Sequence, residues 1–385
     1  MWSVSADPLK FEEAVRWFEG KVPLLPGEFK QLEAEAKRRA FTMAGVAELD
    51  RMAWLHQTLL EAIESGQTLD EWRGRVGERL RSRSPVHLET VFRTNVQSAY
   101  SAGRWAQLNH PAVRKARPFW MYDAIMDGRT TDICKERHGT VLPVDDPWWR
   151  ENTPPLHFNC RSGIRALTPE QAKARGVASR PPTVKPPQAG FGLAPDVEDW
   201  GDTYARGLRA RIGDAGGWGL AFAGPPPDWT SYGLPQRLPG RNAPRRLLPT
   251  VAEVGEVVFL EQLAAALGGL PAYLRDPSGL AVVVDSRLLE HLRPDGRERF
   301  LAWLGDLITD PEELWLVPMK RTGGRRVVFR QRYLKVYRDG RKRHLIFVAE
   351  FHRGVMVGFT FFETRYPNYL QNMRKGFLRY AKEQK

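Results

Sequence analysis

The chain has 385 residues, 42% of them hydrophobic and 27% charged, which excludes a wholly disordered or fibrous protein and leaves room for two or three domains. Its net charge of +13 is unevenly spread: residues 1–170 carry 24 basic and 23 acidic side chains, 171–250 carry 11 and 6, and 251–385 carry 23 and 16. An anionic partner is therefore expected to meet the second half.

At the N-terminus no basic run precedes an apolar one, so no signal peptide is visible. No window approaches the roughly 18 apolar residues of a spanning helix, and a soluble protein or part of a soluble assembly is expected. Residues 7–110 read as mostly helical, with helices expected at 8–19, 28–42, 45–65 and 69–82. In the stretch 88–100 apolar residues recur at threes and fours behind a Ser84-Pro85 start signal. From 118 to about 167 the periodicity fades into turn residues, and such a loop-rich unit is expected to need something besides a core.

Residues 171–250 hold 12 Pro and 12 Gly, a share that reads as a linker. Trp200, Trp218 and Trp229 within it suggest that part of it docks on a neighbour. Residues 251–385 read as a small α+β domain: a strand at 281–284, helical segments at 286–293 and 296–308, then period-two patterning at 314–318, 325–338, 344–351 and 355–362. These last four form an expected antiparallel meander. A closing helix is expected to carry Leu370, Met373 and Phe377 on one side. The fold class is thus multidomain, with a mainly helical domain over 1–170, a Pro/Gly-rich linker over 171–250 and an α+β domain over 251–385.

Both cysteines of the chain lie in the loop-rich region, each near a histidine: Cys134-x3-His138 and His157-Phe-Asn-Cys160. Two cysteines in so long a chain exclude a disulfide-stapled secreted scaffold and fit a reducing compartment. Four N and S ligands satisfy tetrahedral zinc, so Cys134, His138, His157 and Cys160 are candidate ligands of a structural Zn2+. The alternative is two small buried cysteines and a histidine in a structural hydrogen bond.

These motifs carry a resemblance. Arg93-Thr-Asn, Ala99-Tyr100-x-x-Gly103-Arg104, Asp127-Gly-Arg-Thr-Thr-Asp132-x-Cys134, Gly139 and Pro154-Pro-Leu-His157-Phe-Asn-Cys160-Arg161 resemble the Mu F-like head morphogenesis family of tailed bacteriophages over about residues 45–167. The resemblance implies a minor head protein of the virion, lying inside the capsid near the portal. Its implied partners are portal and capsid proteins and packaged DNA, with the host cytoplasm as its place of synthesis and its destination after ejection. The family usually closes the motif as Cys-Arg-Cys, where this chain has Ser162.

Between Lys320 and Arg343 eleven basic residues face one acid, Asp339. Strand alternation puts Tyr333, Lys335 and Tyr337 on one face, a pattern suited to phosphates and unstacked bases. Arg325, Arg326, Arg330, Tyr333, Tyr337, Arg341 and Lys342 are the candidate nucleic-acid contacts. The alternative is a charged edge hairpin that only blocks aggregation.

Metal-free RNA cleavage needs an acid/base group and cations around the phosphate, and His291 follows a strand from which an imidazole could reach the sheet. Asp228-Trp-Thr-Ser-Tyr-Gly233, Asp285-x5-His291, Arg299-Phe-Leu, Asp310-Pro-Glu-Glu-x-Trp315, Arg332-Tyr-Leu-Lys335, Thr360-Phe-Phe and Asn372-Met-Arg374-Lys-Gly376 resemble phage nuclease-like domains of the barnase, EndoU, colicin and RelE type, over about 225–385. The resemblance implies a ribonuclease toxin with an RNA substrate and no cofactor for catalysis. It makes His291, Arg332, Lys335, Thr360 and Arg374 the positions to test; by chemical type His291 is expected as the acid/base group, Arg332 and Lys335 as phosphate stabilisers, Thr360 as a hydrogen-bond donor, and Arg374 as a phosphate ligand or helix cap. The competing expectation is a non-catalytic head protein whose basic domain holds DNA or the portal.

Overall fold

The computed structural model describes residues 11–80, 83–195, 218–244, 247–286, 288, 296–322, 326–338, 342–352, 355–364 and 367–382. The chain divides into two compact units, Met1–Pro26 with Ala40–Ala210, and Gly27–Arg39 with Arg211–Lys385.

The first unit is built on the helix Pro85–Leu108, where Ser84 accepts the His87 N–H and Pro85 occupies the first turn. Leu88, Phe92, Ala99, Ala102, Trp105 and Leu108 form its buried stripe. The helix Glu12–Glu19 packs against it at Gly103, where an added Cβ would sit 2.8 Å from the Ala14 nitrogen. Helices Leu49–Ser65 and Leu69–Val76 complete this layer around Phe18, Leu55, Leu59 and Trp72.

Beyond the long helix lies an antiparallel sheet in the order Val141–Pro143, Phe119–Asp123, Gly163–Leu167. The expected shortage of core does not hold: Trp105, Trp120, Tyr122, Trp149, Leu156 and both cysteines form a buried cluster, with Trp120 edge-on to Trp105 and Trp149. Each aromatic buried there stabilises the unit by about 1.5–3 kcal/mol. The sequence signal failed because strands of three to five residues are too short to show a period.

The first stretch of the Pro/Gly-rich region docks on this unit through backbone bonds, Ala178 N–H to Val141 O, Gln188 N–H to Leu156 O and Ala194 N–H to Arg150 O. Residues 196–217, Trp200 among them, lie outside the described residues. No described helix is long and apolar enough to cross a membrane.

The second unit is a mostly antiparallel sheet in the order Phe377–Ala381, Glu313–Arg321, Val327–Arg338, Lys342–His352, Val355–Thr364, Ala281–Val284, Ala272–Arg275. The meander follows its period-two signal closely. One face is covered by the 3-10 and α-helical stretch Arg297–Trp303 and Leu304–Thr309, the other by the helix Pro367–Met373 with Trp229, Leu234 and Leu238, while Trp218–Leu220 and Gly240–Asn242 pair into the sheet beside Glu313–Arg321 and Val327–Arg338. The expected closing helix ends at Met373; Gly376, at φ +127, turns the chain so that Phe377 enters an edge strand.

Residues 28–42 do not form one helix. Short helices Pro26–Lys30 and Ala34–Arg38 frame a segment whose Glu33 N–H bonds Ala221 O, while Lys320 pairs with Glu33 and Glu35 at 3.2 and 3.4 Å.

Candidate functional site

In the first unit the short helix Asp132–Lys135 carries Cys134, and a turn closing on Asn159, at φ 57, carries His157 and Cys160. The turn is tied to the long helix by Asn159 N–H to the Thr94 hydroxyl and by the Gln97 amide to Ser162 O. Cys134 Sγ lies 3.7 Å from Cys160 Sγ and 3.2 Å from His157 Nε2, so the thiols are close but not bonded as a disulfide. All three ligand atoms fall within 4.8 Å of one another.

His138, the fourth expected ligand, is not among them: its Nδ1 accepts the Ala124 N–H at 3.1 Å. Spacing put it beside Cys134, but the helix ends at Lys135 and the imidazole is taken up by the Ala124 N–H. Ser162, 3% exposed, follows beside Cys160, and the hydroxyl that donates to Cys134 Sγ, at 3.3 Å, is that of Tyr122. The shared hydrogen bond between the thiols pushes Cys134 up to about 12, with burial adding to the rise, and pulls Cys160 down to about 6. Below the cluster Arg161 grips Asp127 through both guanidinium nitrogens at 2.7 and 2.5 Å and holds that carboxyl well below its usual range.

In the second unit the strand Val327–Arg338 sorts its basic residues onto two faces. Lys335 is 2% exposed and faces the helical layer, where Nζ donates to Asp310 O at 2.6 Å and lies 3.0 Å from both Asp306 Oδ2 and Asp310 Oδ2. Tyr333 and Tyr337 share that face, fully buried, donating to Asp276 and Asp306. The expected base-stacking platform is therefore core, because the helical layer brings Asp306 and Asp310 to Tyr337 and Lys335, and the turn after the strand Ala272–Arg275 brings Asp276 to Tyr333.

Arg332 points the other way. It pairs with Trp315 and Val348 on the neighbouring strands, and Val348 pairs with Thr360 on the next, so Arg332 and Thr360 share one row. Two strand spacings separate their backbones by about 10 Å. Arg332 donates to Met373 O at 3.2 Å and to Met319 Sδ at 3.6 Å. Among the described residues its guanidinium meets no carboxylate, and burial, with the Arg330 charge beside it, pulls it down to about 10. Thr360 itself is half-buried, and Tyr369 on the covering helix is exposed.

Arg374 is unexposed and fully engaged: both Glu313 oxygens at 2.8 and 2.6 Å, Pro235 O, Gln236 O and the Gln371 amide oxygen. It anchors residues 235–236 to the sheet and has no donor left for a phosphate. Arg330 pairs with Glu350 at 3.4 Å and lies over Trp218, and Arg326 closes the hairpin turn through its carbonyl. His291, Arg325 and Arg341 lie outside the described residues, as does the side chain of Lys342.

Residues 54–165 match the family described as Phage Mu protein F like protein, and residues 258–381 match the one described as phage-Barnase-EndoU-ColicinE5/D-RelE like nuclease2. The chain joins a Mu F-like head-protein region to a nuclease-family region. It is 30% identical over 187 residues to the putative capsid assembly protein F of Escherichia phage Mu, covering 43% of this chain and 42% of that protein. It is also 30% identical over 166 residues to the Mu-like prophage FluMu F protein of Haemophilus influenzae, covering 39% of each. The chain thus spans about two fifths of the length of these curated relatives. No solved structure matches it.

Three features were missed from sequence: the carboxylates that neutralise Lys335, the bond of Arg332 to the Met373 carbonyl, and the Tyr122 hydroxyl on Cys134. Strand parity alone would have separated Arg332 from Lys335; the rest depends on residues distant in the chain.

Proposed function

We propose that the protein is a phage minor head protein, lying near the portal with the packaged DNA, whose second unit cleaves RNA after delivery to the host. The reading rests on the two family regions joined in one chain, and the observation that carries the chemistry is Arg332. A buried guanidinium without a carboxylate is expensive to hold, and a phosphodiester is the counter-ion that its row with Thr360 best accommodates.

In this mechanism the 2′-hydroxyl of RNA attacks the adjacent phosphorus, a base takes its proton, and the 5′-oxygen leaves with a proton from an acid. The products are a 2′,3′-cyclic phosphate and a 5′-hydroxyl. Arg332 stabilises the charge on the non-bridging oxygens, Thr360 donates a hydrogen bond to them, and His291 has the acid/base role. Lys335 and Arg374, held in internal ion pairs, leave the set of phosphate ligands.

The test is incubation of the full chain with single-stranded RNA and with duplex DNA of equal length in EDTA. Cleavage of RNA to cyclic-phosphate ends supports the proposal. Salt-dependent retention of DNA with neither nucleic acid cut supports instead a non-catalytic head protein that uses its basic unit to hold DNA.

A further inference from the structure

We propose that Cys134, His157 and Cys160 bind one Zn2+ ion, with an oxygen donor beside Ser162 completing the tetrahedron. The first support is distance. Two Zn–S bonds of about 2.3 Å meeting at the tetrahedral angle put the sulfurs about 3.8 Å apart, and Cys134 and Cys160 stand at 3.7 Å. A disulfide would need about 2.05 Å.

The second support is the histidine. His157 Nδ1 lies 2.7 Å from the Phe158 carbonyl oxygen, which can only accept, so the ring proton sits on Nδ1 and Nε2 carries the lone pair. That lone pair is turned to Cys134 at 3.2 Å and accepts from the Thr131 hydroxyl at 2.9 Å. A backbone carbonyl holding one imidazole nitrogen while the other meets a metal is the usual outer arrangement of a zinc histidine.

The third is donor chemistry. Two thiols and an imidazole are borderline-soft ligands that favour zinc over magnesium or calcium. Both cysteines are buried at 2% exposure, so an ion there is shielded on the sulfur side, while the hydroxyls of Thr131, at 2.9 Å from His157 Nε2, and Tyr122, at 3.3 Å from Cys134 Sγ, lie against the ligand atoms and Ser162, 3% exposed, is close in sequence. An ion at this point would clamp the turn 154–162 to the helix Asp132–Lys135, two segments with little regular structure to fix them. The site lies in the Mu F-like region and does not depend on the nuclease reading.

The test uses the full chain without a histidine tag, purified from zinc-supplemented culture, with metal measured by mass spectrometry. About one zinc per chain is expected. Cys134→Ser and His157→Ala should fall close to zero, whereas His138→Gln should keep its metal. A ligand variant that fails to fold would also lose zinc, so the wild-type chain is stripped and titrated with Co2+. Tetrahedral sulfur and nitrogen ligation then gives intense visible bands saturating at one equivalent. A metal-free wild type without a cobalt spectrum overturns the proposal, as does undiminished zinc in His157→Ala or a Cys134–Cys160 disulfide in the purified protein.

Discussion

Arg332 and Lys335, three residues apart on one strand, lie on opposite faces of the sheet, and among the described residues Lys335 has carboxylates beside it while Arg332 bonds the Met373 carbonyl. The two cations therefore do different work. Lys335 neutralises Asp306 and Asp310 and fastens the helical layer, while Arg332 is a buried guanidinium held by the Met373 carbonyl.

If Arg332 serves a bound phosphate, its removal should separate stability from function. Replacing a buried unpaired charge by an apolar chain of similar length is neutral or stabilising. Arg332→Met is therefore expected to melt at or above the wild-type temperature while losing RNA cleavage by roughly 100-fold. A thermal melt and an initial-rate assay on the same preparation check both halves.

For Lys335→Met the pattern reverses. The variant takes the buried cation from two carboxylates that are partly open to water, of which Asp310 keeps Lys382 and Asp306 keeps the Tyr337 hydroxyl, so the expected loss is about 1–3 kcal/mol in urea unfolding. Cleavage by the fraction that remains folded should stay near wild type. A collapse of activity without a loss of stability would place Lys335 in the reaction after all.

Arg374→Ala leaves Glu313, 2% exposed, as an uncompensated charge. Breaking such a pair from one side costs about 3–5 kcal/mol. The double variant Arg374→Met with Glu313→Leu should recover a large part of that loss, because neither charge is then left alone. Additive losses in a double-mutant cycle would show that the two residues act separately.

His56 gives the first unit an acid sensitivity. It is stacked on Phe18 and bonded to the Phe18 carbonyl at 2.9 Å, and burial lowers its pKa from 6.5 to about 4. Between those values the unfolded chain binds a proton that the folded chain refuses, so stability falls as pH drops from 6.5 towards 4. At about 1.4 kcal/mol per pH unit the full loss is about 3 kcal/mol. Urea unfolding at pH 7.5, 6 and 4.5 should show this slope, and His56→Phe should flatten it.

The meander was legible in the sequence because period-two patterning and the turns between its strands are local signals. So was the long helix, from Ser84-Pro85 and the spacing of Leu88, Phe92 and Ala99. Which face of a strand is covered is not local. Alternation correctly grouped Tyr333, Lys335 and Tyr337, but only the helices carrying Asp306 and Asp310 decide that this group is core. The cysteine cluster was half legible for the same reason: composition pointed to Cys134, His157 and Cys160, while the direction of the His138 side chain was set by its bond to the Ala124 N–H. Phe377 looked like the next turn of a helix until Gly376 turned the chain into a strand.

The central claim, that the Arg332 face is the working face of the second unit, is tested most directly by one side-by-side assay. Full-length wild type, Arg332→Met and Lys335→Met are incubated with single-stranded RNA in EDTA, and the 2′,3′-cyclic phosphate ends are counted per folded molecule. The expected result is cleavage by wild type and Lys335→Met, with Arg332→Met lower by roughly 100-fold. No cleavage by wild type, or equal cleavage by Arg332→Met, contradicts it.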